Sequence, residues 1–262
     1  MNQLSVFFGA LNYEFRMQVR RPALWITMVL LAVLITGAGG AFRELLTYQL
    51  NSIPLVEMVI RWTVRMNFIF PVGVGVLLAD RLPRDRRTKV EELFWSTPGA
   101  LSARLGGKYF GSMLAALIPV MVFYVIGAGC ILYHTQDLMT LPLALAAFAA
   151  IVLPGMLFIS AFSIACPAIL WVPLYQFLYT GYWFWGNMLG PRVGIPTLSE
   201  TILTPAGGYM AAGFFGVPPA FQIFDFRVTA LQGAESLLLL LSISVLVMVV
   251  LWRLLKWQQA RQ

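Results

Sequence analysis

Long apolar runs alternate with short polar segments along this chain, and the pattern predicts a bundle of membrane-spanning helices. A helix rises 1.5 Å per residue, so about 20 apolar residues cross the roughly 30 Å hydrocarbon core of a bilayer. Six runs of this kind can be placed, which makes the predicted fold an all-α membrane protein with a single domain over residues 1–262. The predicted spans cover residues 23–41, 55–79, 109–132, 141–166, 167–190 and 236–252.

The segment before the first span has the spacing of an amphipathic helix. Its apolar positions include Phe8 and Phe15, and its polar side includes Arg16 and Arg20. Such a segment is too polar to span, so we expect it to lie along the membrane interface. It is interpreted either as an elbow that steers the first span and supports a partner, or as a simple surface anchor. Pro22 suits the first turn of the next helix, because its missing N–H has no partner there.

The predicted second span carries charged residues near its start. Glu57, Arg61 and Arg65 follow one another at four-residue intervals and share one helical face. A helix of about 26 residues would be roughly 39 Å long, which exceeds the hydrocarbon thickness. Two interpretations follow: an extension above the outer surface with snorkelling arginines, or a polar stripe beside a transport route.

The predicted fifth span carries a row of aromatic residues at near-helical spacing. Interfacial aromatic belts are common in membrane proteins, so an anchoring role is one interpretation. A substrate-facing aromatic wall is the other. The row consists of Trp171, Tyr175, Tyr179 and Tyr182.

The segment 191–233 is rich in proline and glycine and contains only short apolar runs. It is too broken for a clean span. We expect short re-entrant or interfacial helices there, before the sixth span, because irregular backbone at membrane depth must be satisfied by protein or water.

Composition supports membrane insertion. Hydrophobic residues make up 60% of the chain and charged residues 11%, which is outside the range of soluble globular domains. The formal net charge of +7 arises from cations at the ends of apolar runs. That position is typical of topology signals, so we do not expect nucleic-acid binding.

The passage from Asp80 to Lys108 is the longest strongly charged segment. Its excess of Lys and Arg places it, and both termini, in the cytoplasm, and we expect its charge to lie in water. With this orientation, 13 of the 18 Lys and Arg residues fall on the cytoplasmic side. The stretch 86–95 can form a short amphipathic helix that docks on a cytoplasmic partner. The alternative is a solvated loop that only sets topology.

Motifs for independent chemistry are missing from the sequence. There is no Gly-x-x-x-x-Gly-Lys-Ser/Thr phosphate loop, no Gly-x-Ser-x-Gly elbow and no His-Glu-x-x-His pair. His134, the one histidine, has only Asp137 nearby, which makes a poor metal site. We therefore expect no metal and no enzymatic activity in this chain, and an energised partner.

The order of these features resembles the transmembrane permease subunits of type-2 ATP-binding-cassette exporters. The sharpest match is the passage from Lys89 to Lys108, which contains Glu-Glu-Leu-Phe-Trp-Ser-Thr-Pro-Gly at residues 91–99 and Arg-Leu-Gly-Gly-Lys at residues 104–108. The resemblance implies an elbow helix at the amino terminus and a coupling helix between spans two and three that seats on an ATPase. The contact residues carried over are Arg86, Arg87, Lys89, Glu91, Glu92, Leu93 and Phe94.

The resemblance also implies the partners. Two cytoplasmic ATPase subunits would bind ATP and Mg, and a second permease subunit, identical or paralogous, would complete the complex. No cofactor would be bound by this chain itself. The expected function is export of an amphiphilic or hydrophobic substrate, such as a drug, peptide antibiotic or lipid, across the plasma membrane. Export of an ion or small metabolite by the same architecture, and a non-transport scaffold or sensor, are the alternatives.

Overall fold

The structure is a computed structural model that describes residues 2–37, 53–88, 99–189, 197–199, 201–218 and 228–260. Every regular element in these ranges is helical, which confirms the predicted all-α class. The helices are α1 Gln3–Val19, α2 Pro22–Gly37, α3 Leu55–Leu78, α4 Arg81–Arg87, α5 Leu101–Thr135, α6 Thr140–Ala147, α7 Leu153–Ala165, α8 Val172–Met188, α9 Gly208–Phe215 and α10 Ala230–Gln259. A π-helical turn, Phe148–Val152, joins α6 to α7, and a 3₁₀ turn, Cys166–Ala168, extends α7.

Several of these helices are long and apolar enough to cross a membrane. Four segments of the described chain qualify by themselves, and the pair α1 and α2, bent by 60°, adds a fifth if it counts as one span. α8, in the predicted fifth span, has 17 residues and so measures about 25 Å. Six spans therefore stay a prediction. The four segments are Leu55–Asp85, Leu101–Thr135, Thr140–Ala168 and Ala230–Gln259.

α3 is the central helix of the bundle. It packs against α2, α5, α6, α7, α8 and α9. Of the apolar stretch in Leu55–Asp85, 72% is buried inside the protein, whereas the figure for Ala230–Gln259 is 17%. A helix surrounded by others must be apolar on nearly all sides, which explains why α3 buries residues such as Val59, Ile60 and Phe70. α10 lies at the periphery.

Glycines let large rings reach the neighbouring helix. Trp62 of α3 fills the space beside Gly127 of α5, where a side chain would collide with its indole ring. Its Nε1–H donates to the Tyr124 carbonyl at 3.2 Å. Gly75 of α3 receives the ring of Tyr179 from α8 in the same manner. Small residues at helix interfaces thus determine how closely the helices approach each other.

The irregular segment before the last helix contains one short helix in its described part. α9 packs on α10, and a Cβ added at Gly213 would lie 2.8 Å from the Thr229 carbonyl oxygen. α10 begins at Ala230, six residues before the predicted start of the sixth span. A capping box explains the earlier start, because Thr229 and Gln232 satisfy each other's backbone N–H groups.

Candidate functional site

Four charged side chains from α1, α4 and α5 meet at one end of the bundle. The Glu14 carboxylate of α1 pairs through Oε2 with Nη2 of Arg81, and its Oε1 lies 3.3 Å from Nζ of Lys108. Lys108 of α5 also pairs with Asp85 of α4. We call Glu14, Arg81, Asp85 and Lys108 the basal ion-pair cluster.

The cluster is withdrawn from solvent. The side chain of Arg81 is 0% exposed and that of Glu14 is 5% exposed. A buried charge is costly unless an opposite charge compensates it, and here two carboxylates balance two cations. Nε and Nη1 of Arg81 find no hydrogen-bond partner in the described chain, so removing Glu14 would leave this guanidinium still poorer in contacts.

Two glycines explain why α1 comes close enough to supply Glu14. A Cβ added at Gly107 would lie 2.6 Å from the Phe7 carbonyl oxygen, and one at Gly111 would lie 2.5 Å from that of Leu11. This Gly-x-x-x-Gly spacing places both glycines on one face of α5, so the backbones approach closely. Lys108 lies between these glycines in sequence, next to the incoming carboxylate.

The cluster connects α1 to the segments that precede and follow residues 89–98 in the sequence. Arg81 and Asp85 precede residues 89–98, and Lys108 follows them. The ion pairs thus hold α1 against α4 on one side of these residues in the sequence and against α5 on the other.

The expectation that the charge between Asp80 and Lys108 lies in water is wrong for two residues. Arg81 is fully buried, and the side chain of Lys108 is 12% exposed. The physical reason is Glu14, which sequence reasoning did not include among the functional residues. The sequence does contain a sign of this contact. Glu14 follows Phe7 and Leu11 on one helical face, and α5 carries two glycines four residues apart that allow a helix to pack closely.

Three of the residues predicted for the elbow helix lie on α1 and the fourth, Arg20, directly follows it, but most of them are exposed. Phe8 is 60% exposed, Phe15 is half-buried, and Arg16 and Arg20 are exposed. The elbow assignment stays a prediction. The face that packs on α5 instead comprises Phe7, Leu11, Glu14 and Gln18.

Most residues predicted for the partner contact lie outside the described ranges. Arg87 is exposed at the end of α4, and for Arg86 only the backbone is described. The remaining predicted contacts, all outside the described residues, are Lys89, Glu91, Glu92, Leu93 and Phe94.

Two of the predicted substrate-route residues, Tyr179 and Tyr175, form hydrogen bonds between α8 and its neighbouring helices. The Tyr179 hydroxyl donates to the Pro71 carbonyl of α3 at 2.7 Å. The Tyr175 hydroxyl lies 2.9 Å from the hydroxyl of Ser163 in α7. The two tyrosine rings stack with centroids 5.7 Å apart and planes 9° apart. Both hydroxyls therefore already have partners within the protein.

Most of the other predicted route residues are exposed, unlike these two tyrosines. Trp171 is 69% exposed and Tyr182 is 49% exposed. Arg61 is exposed and pairs with Glu57 one turn away, while Arg65 is half-buried. The role of these residues in transport stays a prediction.

Comparison with known proteins adds no identification. No protein-family model matches the chain, and the search of curated proteins found no significant match.

Proposed function

We propose that this chain is the transmembrane permease subunit of an ATP-driven exporter of the type-2 ATP-binding-cassette kind. In this proposal it is a multi-pass protein of the plasma membrane with both termini in the cytoplasm. It assembles with a second permease subunit, identical or paralogous, and with two cytoplasmic ATPase subunits. ATP and Mg bind to the ATPases, since the sequence has no phosphate loop.

The observation that carries the proposal is the burial of Glu14 between Arg81 and Lys108. Neither a surface anchor nor a loop that only sets topology needs charges withdrawn from water, because both functions are served by solvated cations. A segment that transmits movement from an ATPase must be fixed to the helices that it moves. The basal ion-pair cluster supplies that attachment on both sides of residues 89–98 in the sequence.

The proposed contact with the ATPase is formed by residues 86–94. Leu93 and Phe94 fill an apolar cleft, and the charges around them fix the register of the contact. When ATP draws the two ATPases together, the contact shifts, and the cluster passes the displacement to α1, α3 and α5. The spans are thereby biased between inward-open and outward-open states.

The proposed cargo is amphiphilic or hydrophobic, such as a drug, a peptide antibiotic or a lipid. Support comes from the sequence of the predicted third to fifth spans, which contain no ionisable acid or base of the Asp, Glu, Lys or Arg type. Transport of a small ion normally requires such groups within the membrane.

Purification of the affinity-tagged chain from its native membranes in mild detergent tests the proposal. We expect a soluble ATPase with a phosphate loop to co-purify in equal molar amount and to hydrolyse ATP. Failure to recover any nucleotide-hydrolysing subunit, with the chain intact and monodisperse, would contradict the proposed function.

The contact itself is tested by replacing Glu91 and Glu92 with lysine. We expect this double variant to retain less ATPase than the unmodified protein, because the reversed charges oppose the register of the contact. Glu57→Lys serves as the matched control, since Glu57 lies at the other end of α3. Equal ATPase content in the double variant and the unmodified chain would exclude the assigned contact while leaving the permease function open.

A further inference from the structure

A lateral groove runs between α5 and α10, with α7 at its floor. Its volume is about 640 Å³. Both bordering helices are long and apolar enough to cross a membrane. Residues at its edges face outward, since Val245 is 64% exposed and Phe110 is 38% exposed. The lining includes Leu105, Tyr109, Leu157, Val245, Met248 and Trp252.

The interior of the groove suits hydrocarbon. The Tyr109 hydroxyl donates to the Leu157 carbonyl at 2.8 Å, and the Ser244 hydroxyl donates to the Leu240 carbonyl at 2.7 Å. These two groups are thus already paired inside the protein. A polar ligand would lose its own hydration in this groove and gain little in return, whereas an acyl chain has no polar group to satisfy.

The length of the groove matches one leaflet of a bilayer. On α10 the lining extends from Leu241 to Trp252, which corresponds to about 16 Å of helix. Half of the roughly 30 Å hydrocarbon core is about 15 Å. One acyl chain can therefore lie along the groove from the midplane to the interface.

Two positively charged side chains lie at the Trp252 end of the groove. The Arg253 guanidinium carbon lies 5.1 Å from the Trp252 ring centroid, and Nζ of Lys256 lies 5.7 Å from it. Both cationic side chains are exposed. Tryptophan favours the level of the lipid headgroups, and basic side chains there attract anionic lipids.

From this combination we propose that the groove is a binding site for an anionic phospholipid. One acyl chain lies between α5 and α10, and the phosphate pairs with Arg253 and Lys256. The leaflet is the one on the Trp252 side. The proposal is independent of the transport function, because it rests only on the groove and its charged end.

Native mass spectrometry of the detergent-purified protein tests this site. The protein is titrated with phosphatidylglycerol and, separately, with phosphatidylcholine that carries the same acyl chains. We expect the first phosphatidylglycerol to bind about tenfold more tightly, given the two cations at the groove end. Equal affinity for the two lipids would overturn the proposal.

Two variants separate the groove from general surface attraction. Arg253→Gln combined with Lys256→Gln should remove the preference for phosphatidylglycerol, and Val245→Trp should weaken both lipids by filling the groove. The matched controls are Arg16→Gln with Arg20→Gln, which removes two exposed cations at the carboxyl end of α1, and Leu238→Trp, which enlarges an exposed α10 residue outside the lining.

The two variants can each refute the site. A preference that survives the loss of Arg253 and Lys256 would exclude the headgroup contact. Undiminished phosphatidylglycerol binding in Val245→Trp would show that the cations act from the surface without the groove, which also overturns the proposal. If Val245→Trp is not monodisperse, Val249→Trp replaces it, because Val249 also lines the groove and is 47% exposed.

Discussion

Two glutamate–arginine pairs show how differently the same chemistry is used in this molecule. Glu57 and Arg61 lie one helical turn apart at the start of α3, with side chains 31% and 44% exposed. Glu14 and Arg81 lie 67 positions apart in sequence, with side chains 5% and 0% exposed. The local pair is visible in the sequence, whereas the distant pair exists only in the folded chain.

The difference shows which charged pairs fix the positions of helices relative to one another. An exposed pair one turn apart gains little, because water solvates each partner almost as well. A buried pair fixes the relative position of its helices, because separating the partners leaves uncompensated charge in an apolar setting. The basal ion-pair cluster therefore determines where α1 lies, and the α3 pair does not determine any contact between helices.

Among the variants that test this difference, Arg81→Met should have the largest effect on the free energy of unfolding. The substitution leaves the Glu14 carboxylate buried with Lys108 alone, so the free energy of unfolding should fall by about 3–5 kcal/mol. Unfolding by sodium dodecyl sulfate in mild detergent, followed by circular dichroism, measures the change. Arg84→Met is the matched control, since Arg84 is an exposed cation of the same helix. Equal losses in the two variants would mean that burial of Arg81 has no energetic consequence.

A smaller effect is expected from the glycine contact that brings α1 to the cluster. In Gly111→Leu the new side chain must displace the α1 backbone at Leu11, so the free energy of unfolding should fall by about 1–3 kcal/mol. Gly129→Leu in the same helix should be tolerated, because no atom lies within 4 Å of a Cβ added there. The same unfolding assay compares the two. A larger loss for Gly129→Leu would argue against close packing of α1 on α5.

The tyrosines of α8 allow the comparison of buried and exposed contacts to be repeated with uncharged groups. Tyr179→Phe removes the hydrogen bond to the Pro71 carbonyl and should lower the free energy of unfolding by about 1 kcal/mol. Tyr182→Phe should have a smaller effect, since that side chain is 49% exposed. Identical unfolding curves for the two variants would show that the inward contact of Tyr179 adds no stability.

The smallest effect is expected for the exposed pair itself. Glu57→Gln removes the charge that pairs with Arg61, and the free energy of unfolding should change by less than about 0.5 kcal/mol. Measurement at low and at high salt sharpens the test, because screening should abolish what remains. A loss comparable to that of Arg81→Met would erase the distinction between the two pairs.

Local signals accounted for most of the helices but not for their contacts. Pro22 correctly predicted the start of α2, and the uncharged run with a break near Cys166 and Pro167 correctly predicted two helices. α10 begins at Ala230, before the predicted sixth span, because that prediction follows only the uncharged run from Ser236. The capping box of Thr229 and Gln232 was legible in the sequence.

Periodicity identifies residues that share a face but not what that face contacts. Tyr175 and Tyr179 were correctly placed on one side of a helix, yet their spacing could not show that both hydroxyls bond within the bundle. In the same way, nothing in sequence spacing pairs Glu14 with Arg81, because α2 and α3 separate the two residues along the chain. Long-range contacts of this kind require the three-dimensional arrangement.

A double-mutant cycle between Glu14 and Arg81 tests most directly whether the amino-terminal helix is fixed to the bundle by buried charge. The free energy of unfolding is measured for the unmodified chain, Glu14→Gln, Arg81→Met and the combined variant. We predict a coupling of more than about 1 kcal/mol, with the combined variant more stable than the sum of the single losses implies. Losses that add within about 0.5 kcal/mol would contradict the account, because they would show that the two residues do not interact.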